Sequence, residues 1–243
     1  SRPGAAGAAD TVYIAVAAAV GPRTEPYFNG VRLAVEHLNA AEGARLAFAV
    51  RTPPETASSQ VAVAAAFRED PRVIGVVGHT GSAQTLEAAP IYADLEHGGR
   101  HAVVAITPTA TNPRLTEASP WVFRVCPTDD DGARALARFA ADSLGVRRAA
   151  VLYRNDLFGR GFTRTFRSAL AERGGRVVER DPYLAGITEY VAYALRIARE
   201  LPDAVVVAGG AEDAAEIVRA LRDAGADVPV LGSDDLAALD ADP

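Results

Sequence analysis

Strand-sized apolar runs alternate with helix-length segments along most of this chain, and short turns join them. That alternation admits few folds: a parallel sheet with helices on both faces, wound right-handedly. Residues 11–20 form a continuous apolar run, the pattern of a parallel strand buried on both faces. A helix is expected from Asn29 or Gly30 to about Ala41, then a strand at 46–51. Ser58 or Ser59 caps a helix reaching Glu69, where Asp70-Pro71 stops it. A strand at 73–77, a turn at 78–81, a helix capped by Ser82 and reaching about Glu96, and a strand at 101–106 follow. Residues 107–120 then break the rhythm with Pro108, Pro113 and Pro120 among four threonines. Loops of that length usually carry function.

The alternation restarts after the loop. Strands are expected at 122–125, 148–153, 177–180, 204–208 and 228–231. Helices are expected at 129–144, 161–173, 189–200 and 212–224, with Gly174-Gly175 and Gly225 closing two of them. The fold class is therefore α/β, with two doubly wound parallel-sheet lobes. The boundaries are a flexible linker at 1–11, a first lobe at 12–120 and a second lobe at 121–243. The small-residue opening reads as the remnant of signal or lipoprotein processing, or of cloning. The first reading implies a periplasmic or extracellular protein, with or without a lipid anchor.

Composition narrows the function. The chain has 243 residues, 49% hydrophobic and 23% charged, enough to bury a core without staples. Its net charge is −6, and every basic residue other than histidine is arginine. No basic face is evident, so a nucleic-acid partner is not expected. A single cysteine, Cys126, permits no internal disulfide and no paired-cysteine zinc site. It reads as a buried hydrophobe rather than a nucleophile. No apolar run is long enough for a membrane helix.

Enzyme signals are weak. Gly75, Gly78 and Gly81 lack the dinucleotide-binding spacing, and there is no phosphate-binding lysine loop. Gly81-Ser82 lacks the flanks of a nucleophile elbow. The histidines are His37, His79, His97 and His101. None is read as having metal spacing to another; His37 and His97 are expected on the surface. Neither a cofactor nor a metal is expected.

Open parallel sheets bind ligands beyond the carboxyl ends of their strands. The segment Gly78-His79-Thr80-Gly81-Ser82 follows one strand. Ser82 either merely caps the next helix or joins its free amides in an anion site. The hydroxyls of 107–113 would lie beside it if the two strands are neighbours. In the second block the same edge carries 155–161, then Gly209-Gly210-Ala211-Glu212, then Ser233-Asp234-Asp235. The aspartates are either another helix cap or the counter-charge to a ligand ammonium. A hydroxyl-rich anion site with an acidic pair opposite suits a zwitterion.

At these loops the sequence resembles the type I periplasmic binding proteins, in the branch that binds leucine, isoleucine and valine for ABC importers. The resemblance rests on 78–82, on Thr107-Pro108-Thr109-Ala110-Thr111-Asn112-Pro113, on Val122-Phe123-Arg124 and on Asn155-Asp156-Leu157-Phe158-Gly159-Arg160-Gly161, with Phe28-Asn29-Gly30 opening the first helix. It spans about residues 12–236. It implies that Ser82 and Thr111 hold a ligand's carboxylate and ammonium, and that Thr109 and Ala110 border the same site. Phe158 falls where an aromatic closes over the ligand, and Asp234 where an acid meets the ammonium. His79, within the loop, joins the candidate set. Ala211 replaces an aromatic of some members, and the segment 23–27 is short for the family.

The resemblance also implies that the second lobe ends with the start of a return crossing, leaving the first lobe incomplete. The expected function is capture of a small polar ligand between two lobes, without covalent chemistry, for an ABC permease. The alternative on the same fold is a sensor domain reporting to a receptor or regulator. A monomer is the default for such a carrier.

Overall fold

A computed structural model describes residues 11–22, 24–41, 46–186, 189–234 and 236. The chain divides into two compact units after Pro127. The first unit contains strands β1 (Thr11–Ala17), β2 (Ala47–Arg51), β3 (Val73–Gly78), β4 (Ala105–Thr107) and β5 (Val122–Arg124). They form a parallel sheet in the order β2-β1-β3-β4-β5. The order reverses between β1 and β3, the point where open sheets of this kind bind ligands. Helices α1 (Glu25–Ala40), α2 (Gln60–Glu69), α3 (Ser82–Tyr92) and the single turn α4 (Leu115–Ala118) complete the unit.

Strand side chains alternate between faces, so each strand feeds two cores. Ala15, Ala17, Val76 and Ala105 pack against Phe67 of α2 and Tyr92 of α3. Val16 points the other way and meets Phe28 of α1. On that second face the register runs from Val16 through Val77 and Ile106 to Phe123. Val16 is fully buried, whereas Ile106 is 38% and Phe123 52% exposed. This apolar row is covered at its β1 end and open at its β5 end.

Several expectations are corrected here. The strand at 122–124 belongs to the first sheet, paired with β4, and does not open the second unit. The division falls after Pro127, not after Pro120. Strand pairing is non-local, so composition could not decide which sheet a three-residue strand joins. The intervening loop contains α4 and is tied to β5 by Arg124, which donates to the Asn112 carbonyl (2.8 Å) and the Thr116 hydroxyl (2.8 Å). Helix α1 starts at Glu25 rather than Asn29, because Pro26 fits the first helical turn. Ser82 is not the cap of α3: Gly81 is, and Ser82 is the first helical residue.

The second unit contains β6 (Arg148–Arg154), β7 (Arg176–Tyr183), β8 (Ala204–Ala208) and β9 (Val230–Gly232), parallel in the order β7-β6-β8-β9. Its helices are α5 (Asp129–Arg138), which continues as a π-helical turn (Phe139–Ser143), α6 (Leu157–Ala171), α7 (Val191–Arg199) and α8 (Ala211–Asp223). Ala149, Val151, Val206 and Ala208 face Phe162 and Phe166 of α6. Their neighbours Ala150, Leu152, Val205 and Val207 face Ile197 of α7 and Ile217 of α8. Strand β8 is wholly buried, as its unbroken apolar run requires. Thr128 starts α5 with a capping box: its hydroxyl accepts from the Asp131 amide, and its own amide donates to the Asp131 carboxylate, each at 3.1 Å. The return crossing expected after Asp234 falls on residues that, apart from Leu236, are outside the described ones.

Helix α6 begins at Leu157, earlier than the expected 161, because Asp156 caps it by accepting from the Gly159 amide at 2.8 Å. The glycine is there because α6 starts directly against the end of β6. A Cβ on Gly159 would lie 2.0 Å from the Arg154 carbonyl oxygen, which is backbone and cannot swing away. Gly159→Ala is therefore expected to destabilise the protein by about 2 kcal/mol, the cost of overpacking. Urea unfolding checks this, and an unchanged midpoint would refute the tight approach.

Candidate ligand-binding site

In the first unit, the loops after β3 and β4 are neighbours because the strands are. They interlock at three places. The Thr107 hydroxyl donates to the His79 carbonyl (2.7 Å) and accepts from the Ala110 amide (3.1 Å). The Thr109 hydroxyl donates to the Thr80 carbonyl (2.7 Å). The Ser82 hydroxyl accepts from the Asn112 amide (3.2 Å). Ser82 thus bridges the two loops instead of capping its helix. Its hydroxyl keeps its own proton for another acceptor.

Thr111 sits between these ties, half-buried, and no described residue hydrogen-bonds its hydroxyl. The first-turn amides of α3 lack intrahelical acceptors by helix geometry, and Gly81 offers no side-chain cap. Two hydroxyls and a helix N-terminus therefore border one edge, where a carboxylate would be held by donors and by the helix dipole. Ala110 is fully buried and contributes packing and backbone; Thr109 is exposed at the rim.

His79 is placed differently from expectation. Its ring is 1% exposed, with Nδ1 2.6 Å from Gln60 Oε1 and Nε2 2.9 Å from the Tyr92 hydroxyl. Both nitrogens are engaged inside the unit, so the ring is a packing residue and not a ligand contact. Burial lowers its pKa to about 4, which keeps the imidazole neutral. His79 lies just beyond β3, where Gln60 of α2 and Tyr92 of α3 hold its side chain inside the unit, a detail that loop membership alone does not reveal. Cys126 is half-buried rather than buried, with Sγ 3.6 Å from the Ala110 carbonyl.

The second unit has its own strand-end cluster. Phe158, at the start of α6, is half-buried and packs on Phe162 with ring centroids 5.5 Å apart. Asp234 is exposed just beyond β9, in a turn closed by the Leu236 amide donating to the Ser233 carbonyl (3.0 Å). Asp235 lies outside the described residues. Sheet order puts β8 between the strands that precede Phe158 and Asp234.

Sequence reasoning missed Arg154, Tyr183 and Asp213, which gather around the β6 and β8 ends. Arg154 pairs with Asp156. The Tyr183 hydroxyl is buried over Gly209, where a Cβ would come within 1.7 Å of it. Burial first, then the Asp213 carboxylate, push the Tyr183 pKa up. Asp213 accepts from the Tyr190 hydroxyl (3.0 Å) and the Gly186 amide (3.1 Å). The available signal was positional: each is at or near the carboxyl end of a strand, or in the first turn of the helix after one.

The chain belongs to the periplasmic binding protein family, whose family model matches residues 15–242. It is 28% identical over 205 residues to an amino acid binding protein of Pseudomonas aeruginosa, covering 83% of this chain and 53% of that protein. It is 26% identical over 232 residues to the leucine-specific-binding protein of Salmonella typhimurium, covering 92% of this chain and 61% of that one. The crystal structure of a leucine binding protein from Thermotoga maritima superposes with a TM-score of 0.74 at 26% identity, covering 93% of this chain and 64% of that chain. The chain thus spans between half and two thirds of the length of these relatives. Among the described residues no helix is long and apolar enough to cross a membrane.

Proposed function

We propose that this chain supplies the ligand-capturing lobes of a periplasmic solute-binding protein that takes a small amino acid, of the leucine, isoleucine and valine class, for an ABC importer. The observation that carries the reading is the unengaged Thr111 hydroxyl beside Ser82 and the uncapped amides of α3, at the strand edge where this fold binds ligands. Ser82, Thr111 and those amides take the carboxylate. Thr109 and Ala110 shape the rim through backbone and packing. Asp234 offers the exposed negative charge an ammonium needs, and Phe158 an apolar surface for the ligand's side chain. His79 is left out of the set.

The amino acid class is supported by the names of the relatives. The action is binding and release, with closure of the lobes around the ligand as the working step. No residue here is assigned a covalent role. Localisation in the periplasm follows from the family reading; a lipid anchor and a monomeric state are parts of the same proposal.

Thermal unfolding against amino acids and small organic acids tests it. A ligand at 100 times its Kd adds about 2.7 kcal/mol of stability. That raises the midpoint by roughly 5–10 °C for a chain of this size. Leucine, isoleucine or valine should produce the shift. A shift only with acids that lack the amine would overturn the amino acid class and leave Asp234 without a role.

A further inference from the structure

A second constellation lies at the opposite end of the first sheet, where α3 hands the chain to β4. Asp94 is wholly buried, with a left-handed backbone (φ 50°) continued by Gly98 (φ 65°) and Gly99 (φ 79°). This turn folds the following residues back over its carboxylate. His97 Nδ1 lies 2.8 Å from Asp94 Oδ1. His101 Nδ1 lies 3.4 Å from Oδ2, and the His101 amide donates to the same oxygen at 2.9 Å. Both imidazoles are exposed, and their rings meet edge to face at 5.9 Å. One donor atom from each of the three residues lies within 4.8 Å of the others.

We propose that Asp94, His97 and His101 bind a divalent transition-metal ion, with zinc as the fitting member, at a site separate from the amino acid edge. Two imidazole nitrogens and a carboxylate are the donor set that borderline ions choose over magnesium or calcium. Tetrahedral zinc needs donors about 3.4 Å apart, from metal–ligand bonds of roughly 2.0–2.1 Å. The contraction from the observed spacing falls on the two exposed histidines, which are free to turn. Asp94 is the fixed anchor, held by burial and by the His101 amide.

A cavity of about 460 Å³ borders the histidines, with Glu69 on its wall, so water or that carboxylate has room to complete the shell. Arg68 sits 3.4 Å from Asp94 and 3.7 Å from Glu69. An incoming cation at Asp94 repels this guanidinium toward Glu69, which already faces it. The spacing of His97 and His101 along the chain is not read as a metal motif, and His97 is indeed exposed. The turn at Asp94 is what brings His97 and His101 onto one carboxylate.

Isothermal titration of the tag-free protein with zinc chloride, and with magnesium chloride as a control, tests the site. One zinc per chain is expected, with no magnesium binding at the same concentration. His97→Ala and His101→Ala should each weaken zinc at least tenfold, and the double variant should abolish it. Circular dichroism and the zinc-free unfolding midpoint establish that the variants are folded. Absence of zinc binding by the unaltered protein would overturn the proposal. So would unchanged affinity in the folded double variant, or equal binding of magnesium.

Discussion

Exchanging Ser82 and Thr111 together for alanine is expected to weaken leucine binding by at least about 100-fold. Hydrogen bonds to a charged group are worth roughly 1.5–3 kcal/mol each, so losing two removes about 3–6 kcal/mol. Each 1.4 kcal/mol is about tenfold in Kd. The two residues differ in what else they do. Thr111 has no described hydrogen-bond partner for its hydroxyl, so Thr111→Ala alone should leave the ligand-free unfolding midpoint almost unchanged. Ser82 accepts from the Asn112 amide, so Ser82→Ala should also cost about 1 kcal/mol of stability. Thr111→Ser keeps the hydroxyl and should retain most of the affinity. Calorimetric titration reads all four variants. A change of less than threefold in the double variant would remove this edge from the binding site.

Acidification from pH 6.5 to 4 is expected to cost about 3 kcal/mol of folding stability, most of it through His79. The folded pKa is lowered to about 4 by burial, whereas an unfolded histidine titrates near 6.5. The unfolded chain therefore binds the proton first. The neutral ring's contribution is complete above pH 6.5 and is lost as the pH falls toward 4, at about 1.36 kcal/mol per unit of pKa difference.

The carboxylates act in a lower window. The Asp203 carboxyl is held below the ordinary value mainly by the Arg147 and Arg148 amides. Its contribution stands above pH 4 and disappears only below it, so the two effects separate on the pH axis. Urea unfolding at a series of pH values should show the slope between 6.5 and 4, and His79→Gln should flatten it. A slope unchanged in that variant would show that another group takes up the proton.

The legible and illegible parts of this chain divide along physical lines. Strand β8 was readable to the residue because five consecutive apolar positions buried on both faces can satisfy only one environment. The cap of α2 was readable to within Ser58 or Ser59, because an N-cap hydroxyl acts on an amide two or three residues ahead; it is Ser59, accepting from Ala62 at 3.1 Å. Thr109, Ala110, Thr111 and Ser82 were readable as neighbours only on the condition that β3 and β4 pair, which they do, since adjacent parallel strands carry their following loops to the same edge. His79 was not readable: whether a loop histidine faces solvent or Tyr92 depends on how α2 and α3 pack over it. Arg154, Tyr183 and Asp213 escaped for the same reason, since each looks like an ordinary residue at or near an element end.

By itself, then, the sequence determined the order of strands and helices, the parallel sheets and the hydroxyl-rich edge. Periodicity, caps and turn residues act over a few positions and are written locally. Only the tertiary structure decided that β5 pairs with β4, that Ser82 ties two loops, that His79 points inward and that His97 and His101 share Asp94. Those outcomes depend on contacts between side chains and strands that local patterns do not encode, and close packing leaves each of them one arrangement.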